Sequence, residues 1–317
     1  MTMYDSRGLA ILALALCACS ASTSTTNPPD GGGHQHSHDG LVHTSDAAPG
    51  AVTTFSHAHG LGFAANGTLF LPAHDGFRTF AAGHWSSPSL PRHDYMGYAA
   101  TRDGFYSSGH PDPASTEPNP FGVVKSTDGG KTLVRLAFSG QIDFHVMAVG
   151  YDSHAIYVFN PAAAGTLAAG LHASADDGKS FSPCAAKGLS GTQILQLAVH
   201  PRDPATVAAV TSGGLFLSSN GGDEFTRIDG GIQVKAAHFP PGGKTLLFGA
   251  TELRELDLAS KAAKPVASPT LAGAALSYIA VSPTGVTALA TTTLDIYLSG
   301  AGSEWKRIGE RGSGYDR

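Results

Sequence analysis

The octet Ser126-Thr127-Asp128-Gly129-Gly130-Lys131-Thr132-Leu133 returns twice in looser form, as Ser174-Ala175-Asp176-Asp177-Gly178-Lys179-Ser180-Phe181 and Ser218-Ser219-Asn220-Gly221-Gly222-Asp223-Glu224-Phe225. Each copy reads Ser, any residue, Asp or Asn, any residue, Gly, two more, then a large apolar residue. The copies start 48 and 44 residues apart, which marks a repeat protein. Within a copy, Asp or Asn accepts hydrogen bonds from its own downstream backbone, and Gly supplies the positive φ of a tight hairpin. The last apolar residue then drops into a core. Ser126, Asp128 and Gly130, Ser174, Asp176 and Gly178, and Ser218, Asn220 and Gly222 are therefore expected to be structural.

Working outward, a common unit fits six times from His57 onward. It opens with an alternating apolar strand around His59–Phe63, Met96–Ala100, His145–Val149, Gln196–Val199, Lys235–Phe239 and Tyr278–Val281. A turn follows, such as Ala65-Asn66-Gly67 or Arg102-Asp103-Gly104, and then a second apolar strand such as Leu69-Phe70-Leu71 or Phe105-Tyr106-Ser107. Period-two apolar patterning, with Gly or Pro roughly every dozen residues, excludes a helical fold. The fifth unit lacks the octet, and the sixth keeps only Gly302 and Trp305 in phase.

The octets resemble the Asp-box, or BNR, repeat of sialidase-like and sortilin-like β-propellers, where the box is the turn between the two outer strands of a blade. The resemblance implies an all-β, six-bladed propeller. Seven blades are the alternative if the insert from Asp112 to Pro120, or the outer part of another blade, hides one. Such a match bears on fold and not on chemistry.

The composition agrees with short strands and turns: 40 of 317 residues are Gly and only 14% are charged. A net charge of -5, with 20 Lys and Arg scattered along the chain, argues against a nucleic-acid partner. Residues 1–19 read as a lipoprotein signal: Arg7, an apolar run from Leu9 to Leu16, then Leu16-Cys17-Ala18-Cys19, which resembles a lipobox with Cys19 acylated. An ordinary signal peptide cleaved near Ala21 is the alternative. A lipid on Cys19 implies a membrane anchor at the cell envelope, facing the periplasm or in the outer membrane. Cys184 is then the sole free cysteine, too few for a disulfide framework, and reads as a small blade residue. Residues 20–54 form a polar tether carrying His34, His36, His38 and His43, either a weak metal-binding tract or a solubilising spacer. Residues 55–310 make the propeller and 311–317 a tail.

Histidine is the anomaly of the composition, since ten of 15 lie between His34 and His110. In a blade, the start of the first strand and the end of the second share one face of the disc, while the box lies on the other. At those positions stand His57, His59 and His74 in blade 1, Asp94, Met96 and His110 in blade 2, and Asp143, His145 and Asn160 in blade 3. The intervals from first to second position are 17, 16 and 17 residues, a shared frame. Residues two apart in a strand point the same way, which would pair His57 with His59, Asp94 with Met96 and Asp143 with His145. Blades 4 to 6 offer Gln196, Lys235 and Ser277 instead. Imidazole, carboxylate and thioether converging on a channel mouth suit a transition metal, copper or zinc, and the thioether tilts the choice to copper. The alternative is that these groups are polar residues satisfied by loop backbone.

The series His57-Ala58-His59-Gly60-Leu61, His74-Asp75-Gly76, His93-Asp94-Tyr95-Met96-Gly97, Ser108-Gly109-His110-Pro111 and Asp143-Phe144-His145 is similar to a family of exported bacterial propellers labelled glycosylhydrolase or sortilin-N-terminal-like. That resemblance implies the fold more than an activity. A sialidase site needs an arginine triad, and the arginines here mostly fall in expected turns or outer strands. A two-carboxylate hydrolase using Asp94 and Asp143 is one rival to metal or small-ligand binding. A scaffold for a protein partner is the other.

Overall fold

The computed structural model describes residues 53–88, 91–300 and 304–316. Cys19, the tether imidazoles His34, His36, His38 and His43, and Gly302 lie outside the described residues. The described chain forms six antiparallel sheets, five of four strands ordered as in the sequence and one of six in which the first strand of the chain joins the last, and contains no helix. The fold is a six-bladed β-propeller. The insert after His110 is a loop and adds no blade.

Blade 1 comprises Gly62–Phe63, Leu69–Ala73, Gly76–Ala81 and His84–Ser86; blade 2, Asp94–Thr101, Gly104–His110, Val123–Ser126 and Val134–Ala137; blade 3, Val146–Val149, Ile156–Asn160, Gly170–Ser174 and Ser182–Pro183. The first strands of blades 4, 5 and 6 are Ile194–Val199, Ala236–His238 and Leu276–Val281. Each sheet buries both faces against its neighbours. Between blades 2 and 3, for example, Tyr106 and Val123 pack on Phe144, Ile156 and Val158. Between blades 1 and 2 the packing is aromatic, with Phe77 stacked on Tyr95 at 4.2 Å between centroids.

The disc closes at the outer edge of blade 6. Thr53–Thr54 pairs with Ser313–Gly314, which in turn pairs with Lys306–Glu310. The sheet thus reaches past the expected limits at 55 and 310, because two-residue strands are too short to leave a period in the sequence. Trp85 of blade 1, fully buried, donates its indole N–H to Ile308 O at 2.8 Å and lies flat on Gly314. A Cβ at Gly314 would stand 2.7 Å from that ring, so only glycine allows the approach.

The three octets join the third strand to the fourth in blades 2, 3 and 4. In the first, buried Ser126 accepts the Gly130 N–H at 2.9 Å and donates to Asp128 Oδ1 at 2.9 Å, while Asp128 accepts the N–H and hydroxyl of Thr132 at 3.0 and 2.7 Å. Ser174, Asp176, Gly178 and Ser180 repeat the pattern, as do Ser218, Asn220, Gly222 and Glu224 without the hydroxyl contact. These local donors hold the Asp128 and Asp176 carboxyls down at about 2, chiefly through the hydroxyls of Thr132 and Ser180. Cys184 packs half-buried against the interface of blades 3 and 4, and burial pushes its thiol up to about 11, leaving it protonated and inert at neutral pH.

Candidate functional site

Strand direction carries the octets to one face and the starts of the first strands to the other. In blade 2, Asp94 pairs with His110 at the mouth end, and Thr101 pairs with Gly104 at the far end. Tyr106, whose strand starts at that far end, donates its hydroxyl to Asp177 of the second octet. Lys125 joins the same network at 3.4 Å from Asp177 and 3.6 Å from Asp103.

At the mouth, the imidazoles of His57, His59 and His74 form a triangle with ring centroids 4.8, 4.8 and 4.4 Å apart. One ring nitrogen of each lies within 4.8 Å of the others. His59 Nε2 and His74 Nδ1 are 3.3 Å apart, and Asp94 reaches across from blade 2 to contact both, at 2.7 Å from His74 Nδ1 and 3.5 Å from His59 Nε2. His59 is the most enclosed of the three. Burial first, and repulsion from His74 second, lower its pKa to about 4, so its ring is neutral at pH 7 and keeps a free lone pair.

A second cluster repeats the arrangement one blade on. Asp143 Oδ2 lies 3.2 Å from His110 Nε2 and 3.3 Å from His145 Nδ1. In both clusters an aspartate at the start of one blade meets a histidine from the end of the preceding blade's second strand. Both aspartates also keep one buried oxygen, Oδ1, with no hydrogen-bond partner among the described residues. Loop backbone therefore does not fully satisfy either carboxylate. A buried carboxylate oxygen without a donor is costly and calls for a cation or a proton.

The structure brings together seven of the eight expected ligands, in two groups. Met96, the eighth, lies within the register shift between Tyr95 and Tyr98 in the first strand of blade 2 and is half-buried, as Asp94 is. Blades 4 and 6 carry the same kind of irregularity, at Ile194/Gln196 and Leu276/Tyr278. His57, His59, Asp143 and His145 precede their strands rather than beginning them, so His57 and His59 converge through a loop rather than through the period of two. Asn160 is structural, donating to Leu167 O and Ala168 O at 3.3 and 3.2 Å.

Other supporting residues carried no readable signal. Asn119 in the insert holds His110 Nδ1 at 2.7 Å, and the insert's Asp112 donates its N–H to buried His93 at 2.9 Å. Buried Ser108 accepts the Phe144 N–H at 2.8 Å and so pins the Asp143–His145 segment to blade 2. Gly97 permits the contact, since a Cβ there would lie 2.3 Å from Phe144 O.

No family model and no curated protein matches the sequence. Among solved structures, the Niastella koreensis GH74 enzyme superposes with a TM-score of 0.55 at 16% identity, covering 82% of this chain and 46% of that one. The GH74 xyloglucanase from Xanthomonas campestris gives 0.50 at 15% identity, covering 82% and 47%. The Swd1 β-propeller domain of Myceliophteria thermophila gives 0.51 at 13% identity, covering 81% and 88%. The chain spans about half the length of the two GH74 proteins. At these identities the likeness is one of fold, and it joins glycoside hydrolases and a propeller of another kind alike.

Proposed function

We propose that the mouth of this propeller binds one transition-metal ion, zinc or copper, through the imidazoles of His57, His59 and His74 with Asp94 beside them. The observation that carries the reading is the convergence of three imidazoles and a carboxylate from two blades, in which the buried Oδ1 of that carboxylate makes no hydrogen bond and lies 3.5 Å from His59 Nε2. Neutral imidazole nitrogens about 2.0–2.1 Å from a tetrahedral ion stand roughly 3.4 Å apart, close to the 3.3 Å between His59 Nε2 and His74 Nδ1. Asp94, whose Oδ2 lies 2.7 Å from that same His74 Nδ1, stands on the metal side of the ring, where it would supply negative charge and an oxygen ligand to the ion. The second cluster at Asp143 stands on the next blade and lends its own carboxylate to the same mouth. In this reading the protein is an exported, lipid-anchored binding module that holds a metal near the envelope.

The test is metal loading of the full chain in which His34, His36, His38 and His43 are all alanine, so that the tether cannot bind. After dialysis, elemental analysis should give close to one equivalent of zinc or copper per chain, and His59→Ala with His74→Ala should abolish it. No retained metal, or retention unaffected by the double substitution, rules the reading out. Hydrolysis of an aryl glycoside that depends on Asp94 and Asp143 would instead make the site a hydrolase centre.

A further inference from the structure

A cavity of about 360 Å³ runs down the axis of the disc, from His59, His145, Gln196, Lys235 and Ser277 at the mouth toward Phe63, Tyr151, Val199 and Phe239 at the far end. Its charge is unlike that of the chain. The protein carries 25 acidic residues and a net charge of -5, yet no Asp or Glu lines this cavity. Its one permanently charged lining residue is Lys235, just before the first strand of blade 5, and among the described residues no ion pair involves it. The walls mix aliphatic side chains such as Val146, Leu197 and Ile279 with aromatic and polar ones, Tyr278, His238 and Thr292 among them, and the Tyr151 hydroxyl is buried and lacks a hydrogen-bond partner among the described residues. Gln196 is not free to serve a ligand, since its amide bridges Ala237 N and Ser277 O.

We infer that this cavity binds a small organic monocarboxylate, its carboxylate held by Lys235 at the mouth and its short body lying against the apolar side chains of the channel, Val146, Leu197 and Ile279. One ammonium with no carboxylate partner matches one negative charge. A phosphate dianion would call for a second cation or an arginine fork, and no arginine lines the cavity. The volume falls at the small end of ligand pockets, which suits a body of a few carbons. The Tyr151 hydroxyl offers a hydrogen-bond donor deeper in, so a ligand with an acceptor at its far end gains a second anchor. The site needs no metal on the imidazoles, and its test is run without one.

Chelator-treated full chain is titrated with ¹³C-labelled butyrate and followed by ligand line broadening, with butyramide as the uncharged isostere and inorganic phosphate as the competing anion. Butyrate should bind, butyramide at least about tenfold more weakly, and phosphate should fail to displace butyrate at equal concentration. Lys235→Met should weaken butyrate about tenfold or more and Lys235→Arg by less, both with unchanged thermal unfolding, while Lys244→Met should bind as the parent does. Absence of butyrate binding at about 10 mM, equal binding of butyramide, displacement by phosphate, or indifference to Lys235→Met would overturn the inference. Because metal is removed throughout, failure of the metal site leaves each of these outcomes intact.

Discussion

Asp128 and Asp94 are the same residue type in the same blade, one at each face of the disc, and their surroundings differ in kind. Asp128 takes hydrogen bonds from Ser126 and from the N–H and hydroxyl of Thr132, all within four residues of itself. Asp94 meets two imidazoles 20 and 35 residues away and keeps a buried oxygen without a hydrogen bond. A carboxylate satisfied by its own turn stabilises that turn and has nothing left to offer. One held by distant imidazoles and left short of a donor is arranged for a cation. In the proposed reading, fold and binding fall to opposite faces.

The contrast can be broken from either side. The largest effect is expected at Asp94. Asp94→Asn should lower zinc or copper affinity by at least about 10- to 100-fold, the scale for losing even a carboxylate one shell further from a metal, while the urea midpoint stays within error of the parent. A loss of stability without a loss of affinity would make Asp94 an inter-blade tie and nothing more. The reciprocal change is Ser126→Ala, which leaves the Gly130 N–H unpaired in a buried turn. It should cost about 1–2 kcal/mol in denaturant unfolding and leave metal affinity unchanged. Ser108→Ala sharpens the comparison within the mouth itself. Freeing the Phe144 N–H should cost about 1 kcal/mol and loosen the Asp143 cluster, visible as shifted His145 resonances with those of His59 unmoved.

Acid separates the two faces by pH. The Asp128 and Asp176 carboxyls sit below their ordinary value, so the stability they contribute is full above about pH 4 and is lost as pH falls through about 2. On the channel side, burial lowers His238 to about 4, and its Nε2 accepts the Val281 N–H at 3.2 Å, which requires the neutral ring. The unfolded chain takes up that proton near pH 6.5 and the folded one only near 4, so stability declines as pH falls across that window. Urea midpoints at pH 7 and pH 5 should differ in the parent, and the difference should shrink in His238→Gln, where His59, also lowered to about 4, keeps its own share. Equal slopes in both chains would remove His238 from the account.

The octets made the fold legible because their chemistry is local: Ser, Asp and Gly act within a single turn, so their order survives in the sequence. Strand phase followed from the same ruler, and the mouth residues of blades 1 to 3 followed from phase. Legibility stopped where structure departs from period. Register shifts at Tyr95/Tyr98 and Leu276/Tyr278 interrupt regular pairing near the mouth, a feature that period-two patterning does not carry. Asn119 was hidden because a loop insert has no period, and Ser108 because its partner is 36 residues away. The closing strands at Thr53–Thr54 and Ser313–Gly314 are too short to signal themselves.

The claim that the mouth is a three-imidazole metal centre is tested most directly by X-ray absorption at the zinc edge on the full chain with alanine at His34, His36, His38 and His43. One equivalent of zinc should show multiple scattering from three imidazoles, falling to two in His57→Ala. Scattering from one imidazole or none, or three that persist when His57 is removed, would contradict it.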